Sequence, residues 1–470
     1  ICTIVPDRMG EIHQAIKDIH WRDTGLLCKW LINGQLAETT KFSYALVNLI
    51  MVFLKDHPLL PEFVELKNRK VNAGEDPAYW LRRGELDVIM TRALAIFLES
   101  KLSAEQRIGV LTEFKCIVPV ANSWVMGIRV ERSEVVAIGK IYEARIAHAA
   151  KELGVPSSIF TSTKALPDLL FNKWHLPIIA KTPKGAASCA GDTIKWLHYE
   201  MLNKNNQEMA DKLALVLDAK QACTLLSKYV KTALEALDHT GDGYIYGSPR
   251  IFGTYTGRFT YSNSTSSKDF NDEDAKNTKV KCCIALHQMP RKEKPVRRYL
   301  TPPPGYKIYE ADASGQESRL MALRSGDPVM LDIFARGLNF HSVTGASIIG
   351  FDYEEFEANR DAEDGKGYYT EQRQLGKLAN RSCNYRIGGK ALSQKAFLDY
   401  DTYMTVGTGQ FLVNTFNRTF AGVPQFWEDV IWESKQRGYT EAFGGRRYKL
   451  TDWSTHRWIT ESSAINHPIQ

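Results

Sequence analysis

Residues 302–325 read PPPGYKIYEADASGQESRLMALRS. The PPPG of residues 302–305 is a turn, the run YKIYEA from Tyr306 to Ala311 is strand-like, and it ends on Asp312. A carboxylate at a strand end can hold a hard divalent cation, with the Ala313 carbonyl as a second oxygen. A lone Asp in that position is also a common helix N-cap. On these residues alone both readings stand.

Further along the chain, Arg373, Lys377, Arg381 and Tyr385 are spaced four apart. On a helix each such step overshoots a full turn by about 40°, so the four side chains stack on one slowly winding face. Three cations in a row repel one another unless an anion lies against them, and a triphosphate is such an anion. A solvated basic face is the plainer alternative.

Taken together, these segments resemble DNA polymerase family A, the bacterial DNA polymerase I type. DASGQESRLMA is similar to that family's motif A and RQLGKLANRSCNYRIGG to its motif B, the fingers helix. The resemblance implies that Asp312, with the Ala313 carbonyl, binds metal, and that Glu317 sits under the sugar of the incoming nucleotide, where it excludes a 2′-hydroxyl. It implies that Arg373 and Lys377 grip the triphosphate and that Tyr385 stacks near the templating base. His341, in FARGLNFHSVTGAS, resembles a phosphate-contacting histidine between the two motifs. Gly315 departs from the family pattern where Gln is common, Arg381 where an aromatic residue faces the sugar, and Ser382 and Arg386 where Gly is common.

Weaker matches point to the primer and template. TYTGRFTYSN and LHQMPR resemble a pair of segments that follow the minor groove, which makes Arg258, Gln288 and Arg291 candidates for DNA contact. Donors in that groove check pair geometry without reading sequence. RKEKPVRR, residues 291–298, adds five positive charges against one Glu and suits phosphate. EAFGGRRYKL and SSAINHPIQ add Arg446, Asn466 and Gln470, with Ser462 where an Arg is common. The expected cofactor is a pair of Mg²⁺ ions, and the expected partners are primer-template DNA and deoxynucleoside triphosphates. The family's second catalytic Asp is expected some distance beyond Gln470.

The chain has 470 residues, 44% hydrophobic and 24% charged, with a formal net charge of +6. It is long enough for several cores, and its charge suits a polyanion without requiring one. Its eight cysteines show no CxxC pair, so reduced thiols in a cytoplasmic setting are expected. The apolar run Phe42–Leu54 is too short to span a bilayer and reads as a core helix. No membrane association is expected.

The fold expected is an α+β right hand, with a palm built on an antiparallel sheet carrying Asp312 and with helical thumb and fingers. A remnant of an exonuclease-like α/β domain is expected before it. PAYWLRRGELDVIMTRALAIFL resembles that domain's last motif, with Asp87 as its metal candidate and Arg83 where a Tyr is usual. The boundaries expected are 1–115 for the exonuclease-like part, 116–145 for entry into the polymerase, 146–240 for the thumb, 241–330 for the palm, 331–435 for the fingers and 436–470 for the rest of the palm. Residues 117–135 read as short β-branched runs, Glu208–Leu237 as a long amphipathic helix or helix pair, and Ser262–Asn277 as a polar loop. A phage-type replicative member is the favoured source. A catalytically inactive DNA-binding subunit and a single-subunit RNA polymerase relative are the rivals.

Overall fold

The computed structural model describes residues 22–32, 45–72, 75–262, 265–266, 279–280, 284–290, 294–359, 368–400, 402–450, 452–454 and 456–470. Three hydrophobic cores organise them. The first gathers α1 (Thr24–Ile32), α2 (Leu46–Phe53), α3 (Leu60–Asn68), α4 (Pro77–Lys101) and α5 (Ala104–Phe114). Along α4, Leu86, Met90, Leu94 and Leu98 recur every four residues and are all buried, the pattern of a helix packed on one stripe. Asp76 caps α4 by accepting from the Tyr79 amide at 2.9 Å, with Pro77 at the first helical position. Ser103 and Gln106 form a reciprocal capping box at the start of α5.

One expectation fails here. Residues Ile117–Met126 form a helix, α6, where short β-branched runs were expected. Pro119 falls in the first turn, where its missing N–H costs nothing, and tertiary packing overrides the weak helix propensity of Val and Ile. The strand-like IRV does follow: Gly127 turns the chain at φ +60°, and β1 (Ile128–Arg129) pairs antiparallel with β2 (Tyr244–Ile245). The expected α/β remnant is not shown: the described residues before Gly127 are helical and contain no strand.

The second core lies among α7 (Arg132–Leu153), α8 (Gly191–Asn203), α9 (Gln207–Leu225) and α10 (Thr232–Thr240). The expected amphipathic pair is there, with α9 and α10 joined by a wider π turn over Leu226–Lys231. Leu213, Val216, Val230, Ala233 and Leu237 are buried on its inner stripe. Most of the polar stretch Ser262–Asn277 lies outside the described residues. Its described ends fall in β4 (Thr260–Ser262), which pairs with β3 (Ser248–Arg250), and in β5 (Thr265–Ser266), which pairs with β6 (Lys279–Val280).

The third core is formed by α11 (Gln316–Ser325), α12 (Pro328–Ala335), α13 (Phe340–Ile349), α14 (Tyr353–Asn359), α15 (Tyr368–Cys383), α16 (Gly389–Tyr400), α17 (Val406–Thr419), α18 (Gly422–Arg437) and α19 (Arg457–Asn466). The ribbon of β7 (Tyr439–Glu441) and β8 (Arg447–Lys449) closes it. Helices α13 and α15 cross with almost nothing between them. A Cβ on Gly376 would lie 2.4 Å from the His341 carbonyl oxygen and 2.8 Å from the Gly345 nitrogen. One on Gly345 would lie 3.3 Å from the Arg373 Cα.

The palm sheet needs correction. Among the described residues the sheets are four two-stranded antiparallel ribbons, and Tyr306–Ala311 belongs to none of them. A strand exists through its ladder, and no described segment supplies a partner for this run. It stays open to solvent, with Tyr306 70%, Ile308 61% and Tyr309 86% exposed. Beside it lies a cavity of about 1190 Å³, bounded by Met126, Tyr246, Met289, Tyr306 and Ile308. No described helix is long and apolar enough to cross a membrane. Cys28, Cys116, Cys189, Cys223 and Cys383 are free thiols.

Candidate functional site

The cationic stripe forms as expected, because Arg373, Lys377 and Arg381 all lie on α15 while Leu378, Ala379 and Cys383 point into the core. Opposite them stands His341, in the first turn of α13, whose N-cap Asn339 accepts from the His341 and Ser342 amides at 3.1 and 3.3 Å. Burial first, then Arg373, Arg381 and Lys377, push the His341 imidazole down to about 4. The ring is therefore neutral at pH 7. Among the described residues the buried Arg373 Nε has no hydrogen-bond partner. Three cations, a neutral imidazole and a helix N-terminus together form a patch of positive charge suited to a polyphosphate.

A second cluster joins α11 to the C-terminal end of α15. Glu317 accepts from Arg258 at 2.6 Å with one oxygen and from the Tyr385 hydroxyl at 2.7 Å with the other. Burial, then the Glu317 carboxylate, pushes the Tyr385 phenol up, and the Gln470 side chain bonds the same group. Asn384 donates to Ser318 at 3.5 Å, and Trp427 donates to the Asn384 carbonyl at 2.9 Å. Five candidates drawn from four distant segments, Arg258, Glu317, Tyr385, Gln470 and, one helical turn before it, Asn466, are thus brought together. Arg258 reaches Glu317 from a turn in which Gly257 has φ +83°.

Asp312 and Ala313 stand apart, both exposed. The helix that follows is capped by Gly315, not by Asp312, so the N-cap alternative is not realised. Gly315 sits at φ +62°, a left-handed backbone that a Gln would adopt only under strain. Among the described residues no group of three or more His, Cys, Asp or Glu is placed to hold a metal. The described residues alone therefore do not fit a bound pair of ions.

The remaining candidates are scattered. Gln288 is exposed in a short 3₁₀ turn, and its carbonyl accepts from Tyr229 at 2.5 Å. Arg291 lies outside the described residues. Arg446 acts as an internal bracket, with its guanidinium 5.2 Å from the Trp30 ring and 5.1 Å from the Phe252 ring and donating to the Thr256 carbonyl at 3.0 Å. Asp87 pairs with Lys67 at 2.7 Å, a tie between α3 and α4, with no metal-binding group of acids around it among the described residues.

Sequence reading missed what supports the site. Asn380 is fully buried and donates both to the Phe340 carbonyl and to the His341 ring, each at 3.1 Å. Arg386 has φ +59° and is held there by Glu428 at 3.1 Å and Glu461 at 2.9 Å. The left-handed backbone is the physical reason glycine suits that place. A buried Asn three residues after the stripe lysine was the only available signal for Asn380.

The fold is that of a nucleic-acid polymerase domain: the chain superposes on the polymerase domain of Pol1 from M. smegmatis, solved in complex with DNA primer-template and dNTP, with a TM-score of 0.67 and 21% identity over 95% of this chain and 68% of that one. The family model "DNA polymerase family A" matches residues 137–470, and the chain belongs to that family. It is 25% identical over 426 residues to DNA polymerase I of Geobacillus stearothermophilus, covering 88% of this chain and 41% of that protein. It is 24% identical over 398 residues to DNA polymerase I of Chloroflexus aurantiacus, covering 82% and 37%. The chain spans about two fifths of the length of these relatives.

Proposed function

We propose that this chain carries the nucleotide-binding part of a DNA-templated DNA polymerase, which adds deoxynucleotides to a primer 3′-hydroxyl. The observation that carries the reading is the convergence of Arg373, Lys377 and Arg381 on the neutral His341. There the cations offset charge that builds on the departing pyrophosphate, and His341 donates a hydrogen bond without adding charge of its own. Glu317, fixed from both sides by Arg258 and Tyr385, forms a wall at the sugar. In this reading residues 146–240 are the thumb, 241–330 and 436–470 the palm, and 331–435, with the basic stripe, the fingers. Primer-template DNA lies along Arg258, Gln288, Asn466 and Gln470. Asp312 and the Ala313 carbonyl would supply two of the oxygens that hold a Mg²⁺ ion, which would add charge neutralisation for the phosphates.

Lys377→Ala should lower nucleotide incorporation by about tenfold or more while leaving primer-template affinity close to wild type. Unchanged incorporation in a primer-extension assay would remove Lys377 from the site. Glu317→Ala should allow ribonucleotides to be added, and equal rejection of them in wild type and variant would refute the sugar-wall role.

A second reading, non-catalytic DNA binding, is favoured by one observation: the exposed Asp312 has no group of acids around it among the described residues. Deoxynucleotide addition to a primed template by the full-length protein decides between the two.

A further inference from the structure

We propose that Asn380 is a positioning residue for His341, holding its imidazole in the single neutral tautomer with Nδ1 as acceptor and Nε2 bearing the proton. This deepens the reading of His341 as a phosphate donor and rests on it. The amide orientation is settled by its surroundings. Asn380 Nδ2 lies 3.1 Å from the Phe340 carbonyl oxygen, which can only accept, and its Oδ1 accepts from the Thr344 hydroxyl at 2.8 Å. A flipped amide would set its oxygen 3.1 Å from the Phe340 carbonyl oxygen, two acceptors with no proton between them. With the amide fixed, its second N–H faces His341 Nδ1 at 3.1 Å, so that nitrogen must carry the lone pair.

The consequence is chemical. Nε2–H has no partner among the described residues, and the charged groups that face the ring are Arg373, Lys377 and Arg381, none of which can accept. Helices α12, α14 and α17 also pack on α13 and bring no further titratable group to the ring. The free donor is therefore left for an anion. An imidazole that exchanged tautomers would present a lone pair to the phosphate for part of the time and would repel it.

Asn380 and Thr344 are 0% and 1% exposed, so this support is shielded from water. The close crossing at Gly345 and Gly376 brings α15 near enough for the amide to reach across.

The test uses the whole chain labelled with ¹⁵N-histidine, the His341 ring being assigned by its loss in His341→Gln. Wild type at pH 7 should show one ring pattern, with Nδ1 unprotonated and Nε2 protonated. Asn380→Leu should mix the two tautomers and weaken inorganic triphosphate binding by about fivefold to tenfold, with an unchanged circular dichroism spectrum. Where the Leu variant does not fold, Asn380→Asp serves, because a carboxylate there accepts from Nδ1–H, reverses the tautomer and raises the pKa of His341. Wild-type ring pattern and wild-type triphosphate affinity in the folded variant would overturn the inference. Unchanged triphosphate affinity in His341→Gln overturns instead the phosphate role of His341, so the two failures are read from different proteins.

Discussion

The basic face of α15 and the carboxylate segment before α11 are both polar, yet they are built in opposite ways. Around His341 the support is buried and bonded: Asn380 to Phe340 and His341, Thr344 to Asn380, with two glycines that let the helices meet. Around Asp312 the backbone is open, the neighbouring aromatic side chains point into water and no described strand lies alongside. The contrast teaches that the charge-binding half of the site is preorganised by its own helices.

The largest test of that contrast is Gly376→Leu. A side chain there meets the backbone of α13, and a thermal melt should show a loss of about 3 kcal/mol or more together with loss of triphosphate binding. A wild-type melt would mean that the crossing is looser than described. Acid provides the next test. His341 sits at about 4 and His467 at about 3 in the folded chain, each pushed down mainly by burial from an ordinary value of 6.5. Below about pH 6.5 the unfolded chain takes up protons that the folded chain refuses, so this share of stability is whole above that pH and is lost as pH falls toward 4. Every tenfold difference in proton affinity between the folded and unfolded chain corresponds to about 1.4 kcal/mol. Melting temperatures should be level from pH 8 to 7 and decline below 6.5, and His467→Leu should flatten the decline; an equally steep fall in that variant would remove His467 from the account.

A smaller change is expected from Glu317→Gln, which weakens the ties to Arg258 and Tyr385. Differential scanning calorimetry should find a cost of about 1 kcal/mol, and a stabilised protein would contradict the pairing. Asp312→Asn should change stability least, within about 0.5 kcal/mol, because its carboxylate makes no contact with a described residue. A large loss would show that the open segment carries hidden structure.

What was legible in the sequence was local. The four-residue spacing of Arg373, Lys377 and Arg381 is a property of one helix, and so is the stripe from Leu213 to Leu237, so both were readable without tertiary knowledge. The strand read over Tyr306–Ala311 is absent from the described sheets, because a strand is defined by partners far away in the chain, which a local pattern does not reveal. The helix over Ile117–Met126 escaped because β-branched residues obey packing before propensity. Asn380 was invisible for a similar reason: its contact with His341 bridges 39 positions and depends on two glycines in different helices. Gly315 and Arg386 looked like departures from a pattern, and their positive φ angles turn both into statements about backbone shape.

The close approach of α13 and α15 also bears on motion. Helices normally slide because a layer of side chains between them can change rotamers, and at Gly345 and Gly376 that layer is missing. Backbone rests on backbone, so a shift of either helix must carry the other. His341 and the three cations then travel as one rigid body, and whatever hinge serves this region must lie at the ends of the pair.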